Sequence, residues 1–132
     1  MKKYLPGIFV LLVLAGCPER TTDVLRAGKD AAVILDLRSL HTVQTQFLIK
    51  NGRYGTLEEL RDAGLIDSHL AAGRKHSYVI TIVSADARGY VLRADPDAEN
   101  KLSYRHYYMD QTGLVRLNHS RPAGPTDPPA SM

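Results

Sequence analysis

The segment 21–51 constrains the fold of this chain more than any other feature. It contains one glycine, Gly28, and no proline. Its apolar residues recur at helical steps of three and four: Ala31, Ile34, Leu35, Leu37, Leu40, Val43, Phe47 and Leu48. Polar residues are expected largely off this stripe: Asp30, Asp36, Arg38 and Gln44. We predict an amphipathic helix over 21–51 that ends at Asn51-Gly52 and packs its wide apolar face on another element.

A compact connector is predicted over 52–76, because two helix-capping signals occur within it. In Thr56-Leu57-Glu58-Glu59 the Thr56 hydroxyl and the Glu59 carboxylate can each satisfy the other's free backbone amide. Asp67 is a second cap candidate. The carboxylates of Glu58 and Glu59 therefore favour a helix start, where negative charge is stabilised by the helix dipole, over acid–base catalysis.

The period of the sequence changes to two over 77–118, which predicts an antiparallel sheet. Strands are expected at 78–83, 90–92, 104–109 and 114–117, with turns between them. The predicted fold class is α+β, with the long N-terminal amphipathic helix packed on a four-stranded antiparallel sheet. From His119 onward, prolines stand among small polar residues, and this predicts a disordered Pro-rich tail over 119–132.

The chain has a single cysteine, Cys17, which follows a basic start and the apolar stretch 5–15. This stretch is shorter than the roughly 20 residues that span a bilayer, so it is typical of a signal peptide. Leu14-Ala15-Gly16-Cys17 resembles the lipobox of bacterial lipoproteins. The resemblance implies a signal peptide over 1–16, cleavage before Cys17, and diacylglycerol and fatty-acyl (palmitate-type) anchoring of Cys17 in a membrane. Pro18, in place of the Asp that retains lipoproteins at the inner membrane, favours the outer membrane facing the periplasm in a diderm bacterium.

The order of elements over 17–118, a long helix, a capped connector and a terminal meander, resembles the globular domains of type IV pilins and type II secretion pseudopilins. Four stretches carry this resemblance: Leu37–Thr42, Asn51–Leu57, Gly64–Asp67 and Tyr107–Arg116. It implies a pilin-like domain that contacts pilus or secretion components. The N-terminus departs from the family, because the processed Gly-Phe junction, the following Glu and the membrane-spanning helix are missing. The filament-forming function of pilins is therefore not carried over.

No catalytic motif is present in the sequence, which contains no nucleophile elbow, phosphate-binding glycine loop or His-Glu-x-x-His segment. The five histidines lack metal-ligand spacing. The formal net charge of +3 includes Lys2 and Lys3 of the leader, so the remainder is close to neutral and nucleic-acid binding is not expected. We expect neither an enzyme nor a resident cofactor.

Two sets of residues are candidate binding positions. Asp95, Asp97, Glu99 and Asn100 present the oxygen ligands that calcium prefers, although an ordinary polar loop between strands explains them better. Arg53, Tyr104 and Tyr107 are candidate contacts with a partner protein, because tyrosine offers rigid amphipathic area. The alternation of the strand also requires at least one of its tyrosines to point into the core.

The leading interpretation is a membrane-tethered, non-catalytic lipoprotein that binds envelope proteins, related to pili or secretion. The alternative is a periplasmic lipoprotein that binds calcium or a small ligand.

Overall fold

The computed structural model describes residues 18–97 and 105–131, and for residues 18–23 it describes the backbone alone. Within these residues, three helices precede a five-stranded antiparallel sheet. The helices are α1 (Pro18–Asn51), α2 (Leu57–Asp62) and α3 (Ser68–Ala71). The strands are β1 (Arg74–Lys75), β2 (Tyr78–Ala85), β3 (Tyr90–Pro96), β4 (His106–Asp110) and β5 (Arg116–Asn118). The predicted α+β class with a long N-terminal helix is confirmed.

The core joins the second half of α1 to the central strands. From α1, Val33, Leu37, Leu40 and Phe47 belong to one buried cluster. From the connector and the strands, the cluster includes Leu60, Leu70, Tyr78, Ile80, Tyr90, Leu92, Tyr107 and Met109. Fully burying a side chain of this size contributes roughly 1.5–3 kcal/mol, so these residues hold α1 to the rest of the fold. Ala31 and Leu35 were also predicted on the apolar stripe, but both are exposed.

β1 is the strand that the sequence did not predict, and it makes the sheet five-stranded instead of four-stranded. It pairs with β2 through a tight turn at His76 and Ser77, whose φ angles are 53° and 70°. Two positive φ angles in succession are usually supplied by Asn and Gly. Because His and Ser give no such signal, the hairpin is invisible in the sequence. The strand order is β1-β2-β3-β4-β5.

The tail is folded back on the sheet, which differs from the predicted disorder over 119–132. Leu117 N donates to Pro128 O at 2.9 Å, and Ala130 N donates to Val115 O at 2.8 Å. The buried Asp127 carboxylate accepts hydrogen bonds from three surrounding residues: Asn118, Arg121 and Gly124. Polar and main-chain bonds, with little apolar burial, hold the tail in place, so its composition gave no sign of order.

Asp30 is buried, although the sequence placed it off the apolar stripe of α1. Only 3% of its surface is exposed, and its Oδ1 accepts a hydrogen bond from the Tyr78 hydroxyl at 2.7 Å. The Arg105 guanidinium lies beside its other oxygen, with Nε at 3.6 Å from Oδ2. A tyrosine and an arginine thus compensate for the burial of this carboxylate.

Candidate functional site

The loop that follows α1 is clamped by a buried glutamine. Gln44 is fully buried, its Nε2 donates to Gly55 O at 2.7 Å, and its Oε1 accepts from Gly55 N at 2.9 Å. A Cβ at Gly55 would lie 2.9 Å from Phe47 Cε1, so only glycine fits there. Gln44 was expected off the apolar stripe, but it faces the core. Its spacing of four from Leu40 and three from Phe47 was the available signal.

Arg53, a predicted interaction residue, joins this loop to the start of α2. Its Nη1 donates to Glu59 Oε1 at 3.0 Å, its Nη2 pairs with Glu59 Oε2, and its guanidinium lies 5.4 Å from the Phe47 ring centroid. Glu59 also completes the predicted capping box with Thr56, which is confirmed. Hydrogen bonds from the Arg53 guanidinium and the Thr56 amide lower the pKa of Glu59 to about 2.

A groove lies between the connector and the outer edge of β2. It has a volume of about 420 Å³ and we call it the β2 groove. Its lining comprises Thr56, Leu57, Glu58, Arg61, Ala71, Ala72, Gly73, Ile80, Thr81 and Ile82. At one end Gly73 O accepts from Ile80 N at 2.6 Å, and at the other Asp86 O accepts from Tyr54 N at 2.9 Å. The groove therefore follows a stretch of strand edge that is closed at both ends.

Tyr107 does not contribute to any surface, which corrects its prediction as an interaction residue. It is fully buried, and its ring centroid lies 5.7 Å from that of Tyr78. Burial, and secondarily the neighbouring Asp30 carboxylate, raises the pKa of its hydroxyl. Tyr104, the other tyrosine of this prediction, lies outside the described residues.

The structure describes two of the four predicted calcium ligands, because Glu99 and Asn100 lie outside the described residues. Asp95 Oδ1 lies 2.6 Å from His106 Nδ1, and Asp97 Oδ2 lies 3.4 Å from Arg74 Nη1. Asp95 therefore faces a side chain of the neighbouring strand β4, and Asp97, which follows β3, faces a side chain of β1. In residues 18–97 and 105–131 no three or more His, Cys, Asp or Glu side chains are grouped as a metal site would require.

The predicted lipidation residue, Cys17, lies outside the described residues, as does the signal peptide over 1–16. The helix α1 is described from Pro18, the residue after Cys17. Across the described part of the chain, no helix combines the length and the hydrophobicity needed to cross a bilayer.

The described residues define an α+β domain in which the long helix α1 precedes a five-stranded antiparallel sheet. No protein-family model matches the sequence, and comparison with curated proteins gives no significant match.

Proposed function

We propose that this protein is a membrane-tethered, non-catalytic lipoprotein whose pilin-like domain binds other proteins of the cell envelope. The observation that carries the proposal is the continuity of α1. The helix runs without interruption from Pro18, the residue after Cys17, into the core at Val33. A lipid on Cys17 would therefore be joined to the folded body by a helix instead of a flexible linker.

The first part of α1 has the character of a stalk. Val24 and Leu25 are 70% and 53% exposed, and Ala27 and Gly28 are exposed as well. The twelve residues from Pro18 to Lys29 extend about 18 Å at the helical rise of 1.5 Å per residue. This length would hold the sheet and the connector clear of a lipid headgroup layer. Two acyl chains suffice for stable attachment.

The envelope location follows from the lipobox, and the role in a pilus or secretion system follows from the pilin-like order of elements. In a diderm bacterium, Pro18 favours the outer membrane facing the periplasm. The alternative, a calcium- or small-ligand-binding lipoprotein, is less favoured, because Asp95 and Asp97 already face His106 and Arg74. An assembly or interaction component uses surfaces of the kind found at the connector and the open edge of β2.

Substitution of Cys17 tests the tether. Intact-mass measurement of the wild-type protein is expected to give a chain that begins at Cys17 and carries acyl mass, in the membrane fraction. Cys17→Ala should give an unlipidated product that is not cleaved at this position. Ser39→Ala, a substitution at an exposed position of α1, is the control. Its mature chain should begin at Cys17 and carry the same acyl mass as the wild type. A wild-type mature chain that starts elsewhere, or that lacks acyl mass, would overturn the proposal.

A further inference from the structure

We propose that the β2 groove binds a short extended segment of a partner protein, which pairs with the outward main-chain groups of Ile80 and Ile82. The inference rests on the proposed function in so far as that function is protein binding. It does not depend on the lipid anchor, because the groove lies in the folded body.

The hydrogen-bonding pattern shows which groups of β2 face outward. Asp97 N donates to Ser77 O at 2.8 Å, and the registers Val79↔Asp95 and Thr81↔Arg93 continue this pairing toward β3. In an antiparallel pair, alternate residues bond to the same neighbour. The intervening residues Ile80 and Ile82 therefore direct their main-chain groups to the outer edge.

β1 covers only the beginning of this edge. It pairs with Tyr78 and Val79, and Gly73 O accepts from Ile80 N. Gly73 N then turns back to Leu70 O at 3.0 Å. Within the described residues, no backbone or side-chain group bonds to Ile80 O or to the outward N–H and C=O of Ile82. Ile80 O, Ile82 N–H and Ile82 C=O are therefore an acceptor, a donor and a second acceptor, spaced as in a β-ladder.

The dimensions of the opening favour one short extended chain as its occupant. The bulge between Ile82 and Ser84 ends the regular ladder, and Tyr54 closes the edge at Asp86. The opposite wall is the connector, which includes Leu57 and Ala72. A second copy of this protein would bring a whole sheet edge into a space that the connector already bounds. A loop or a chain terminus of a partner fits, because it needs only a few extended residues.

The lining indicates the composition of the bound segment. Leu57, Ala71 and Ala72 contribute the apolar part of the wall, and Glu58 and Arg61 lie 3.7 Å apart as an ion pair that leaves no net charge. We therefore expect small apolar residues toward the wall and uncharged residues around them. Main-chain bonds supply affinity in this mode of recognition, and alternate side chains supply selectivity.

A random peptide library displayed on phage is the probe, and the full-length protein in detergent micelles is the target. The selected peptide should slow amide hydrogen exchange at Ile82 by roughly tenfold or more, as measured by NMR. The peptide is then made in two versions that are N-methylated at alternate positions. Because an extended strand directs alternate amides to opposite sides, one version should lose roughly tenfold in affinity and the other should bind like the parent.

Two matched variants locate the site. Ala72 is exposed and lines the groove, so Ala72→Phe should fill it and weaken peptide binding by roughly tenfold with unchanged melting temperature. Ala87 is exposed in the β2–β3 turn, and Ala87→Phe should bind as the wild type does. The inference would be overturned if the library gave no binder, if both methylated peptides had the same affinity, or if exchange were slowed elsewhere instead of at Ile82. Self-association through β2, or unchanged peptide binding by Ala72→Phe, would also overturn it. Intact mass reports lipidation separately, so loss of the anchor and loss of peptide binding are distinguishable.

Discussion

At the scale of single residues, the Arg53–Glu59 pair makes the stability of the fold depend on pH. The pKa of Glu59 is lowered from 4.5 to about 2, first by the Arg53 hydrogen bonds and then by the Thr56 amide. Because the folded pKa lies below the ordinary value, the pair stabilises the fold above pH 4.5, and this contribution is lost as the pH falls through about 2. Both groups are solvent-accessible, so added salt weakens the effect.

We expect an NMR titration of the Glu59 carboxyl carbon to give a midpoint near 2 and Arg53→Gln to raise it toward 4.5. Arg61→Gln is the matched control, because Arg61 pairs with Glu58 and Asp62 and should leave the Glu59 midpoint in place. An ordinary midpoint for Glu59 in the wild-type protein would show that the pair does not form in solution.

Gln44 should be among the most costly polar residues to replace. Gln44→Ala leaves the buried N–H and C=O of Gly55 without their partner, and we expect a loss of about 2 to 4 kcal/mol in the free energy of unfolding. The measurement is chemical denaturation followed by circular dichroism. Gln46→Ala, an exposed glutamine on the same helix, should change stability by less than about 0.5 kcal/mol. Equal effects of the two substitutions would contradict the clamp.

Residue-level prediction succeeded where the interaction is local. The caps at Thr56 and Asp67 involve partners three residues away, and both are confirmed. Gln44 bonds to a residue eleven positions further along the chain, and Tyr107 is buried because of strand pairing. The burial of Gln44 and of Tyr107 therefore cannot be predicted from their neighbours in the sequence. A polar residue can be assigned to the core only when the distant group that it bonds to is known.

At the scale of elements, the tail and β5 form one unit. The Asp127 carboxylate accepts from Gly124 N, Asn118 Nδ2 and Arg121, and the Asp127 carbonyl accepts from Arg116 Nη1 at 2.8 Å. Pro128 and Pro129 carry no N–H, so the outer side of this segment offers no amide donors there. The folded tail thereby covers an edge that would otherwise be free to pair with another chain.

Asp127→Ala should release the tail. We expect amide exchange of Leu117 and Ala130 to accelerate by roughly tenfold or more, because the bonds that hold both amides depend on the position of this segment. Hydrogen exchange with mass spectrometry measures the effect. Asp62→Ala, at an exposed aspartate of α2, should leave both amides protected. If Asp127→Ala also leaves them protected, the carboxylate does not hold the tail.

The elements that the sequence predicted are those with a strong period. The apolar stripe gave α1, and alternation gave β2 and β3. β1 depends on the positive φ angles of His76 and Ser77, and the fold of the tail depends on the Asp127 carboxylate, which accepts several hydrogen bonds. Backbone geometry and polar contacts of this kind leave no trace in the hydrophobic periodicity of a sequence.

At the scale of the whole molecule, the charges on the first part of α1 argue against packing in a filament. They are Glu19, Arg20, Asp23, Arg26 and Lys29. Burying a charge without compensating partners costs several kcal/mol, so this segment is poorly suited to the apolar core of a pilus. We expect the protein to fractionate with membranes and to be released by detergent as a monomer or small oligomer, as measured by size-exclusion chromatography with light scattering. Its recovery as a stoichiometric subunit of sheared, purified pili would refute this expectation.

The strand order β1-β2-β3-β4-β5 also has a kinetic consequence. Each strand pairs with its neighbour in the chain, so the ladder needs no long loop closure and can grow in the order in which the strands emerge during synthesis or transport. The docking of α1 and of the connector on the strands joins more distant parts of the sequence. The segment that closes β5 emerges after all five strands. Until residues 128–130 have emerged, the edge of β5 is free to pair with another chain. A chain whose synthesis or transport pauses just before these residues is therefore expected to be prone to aggregation.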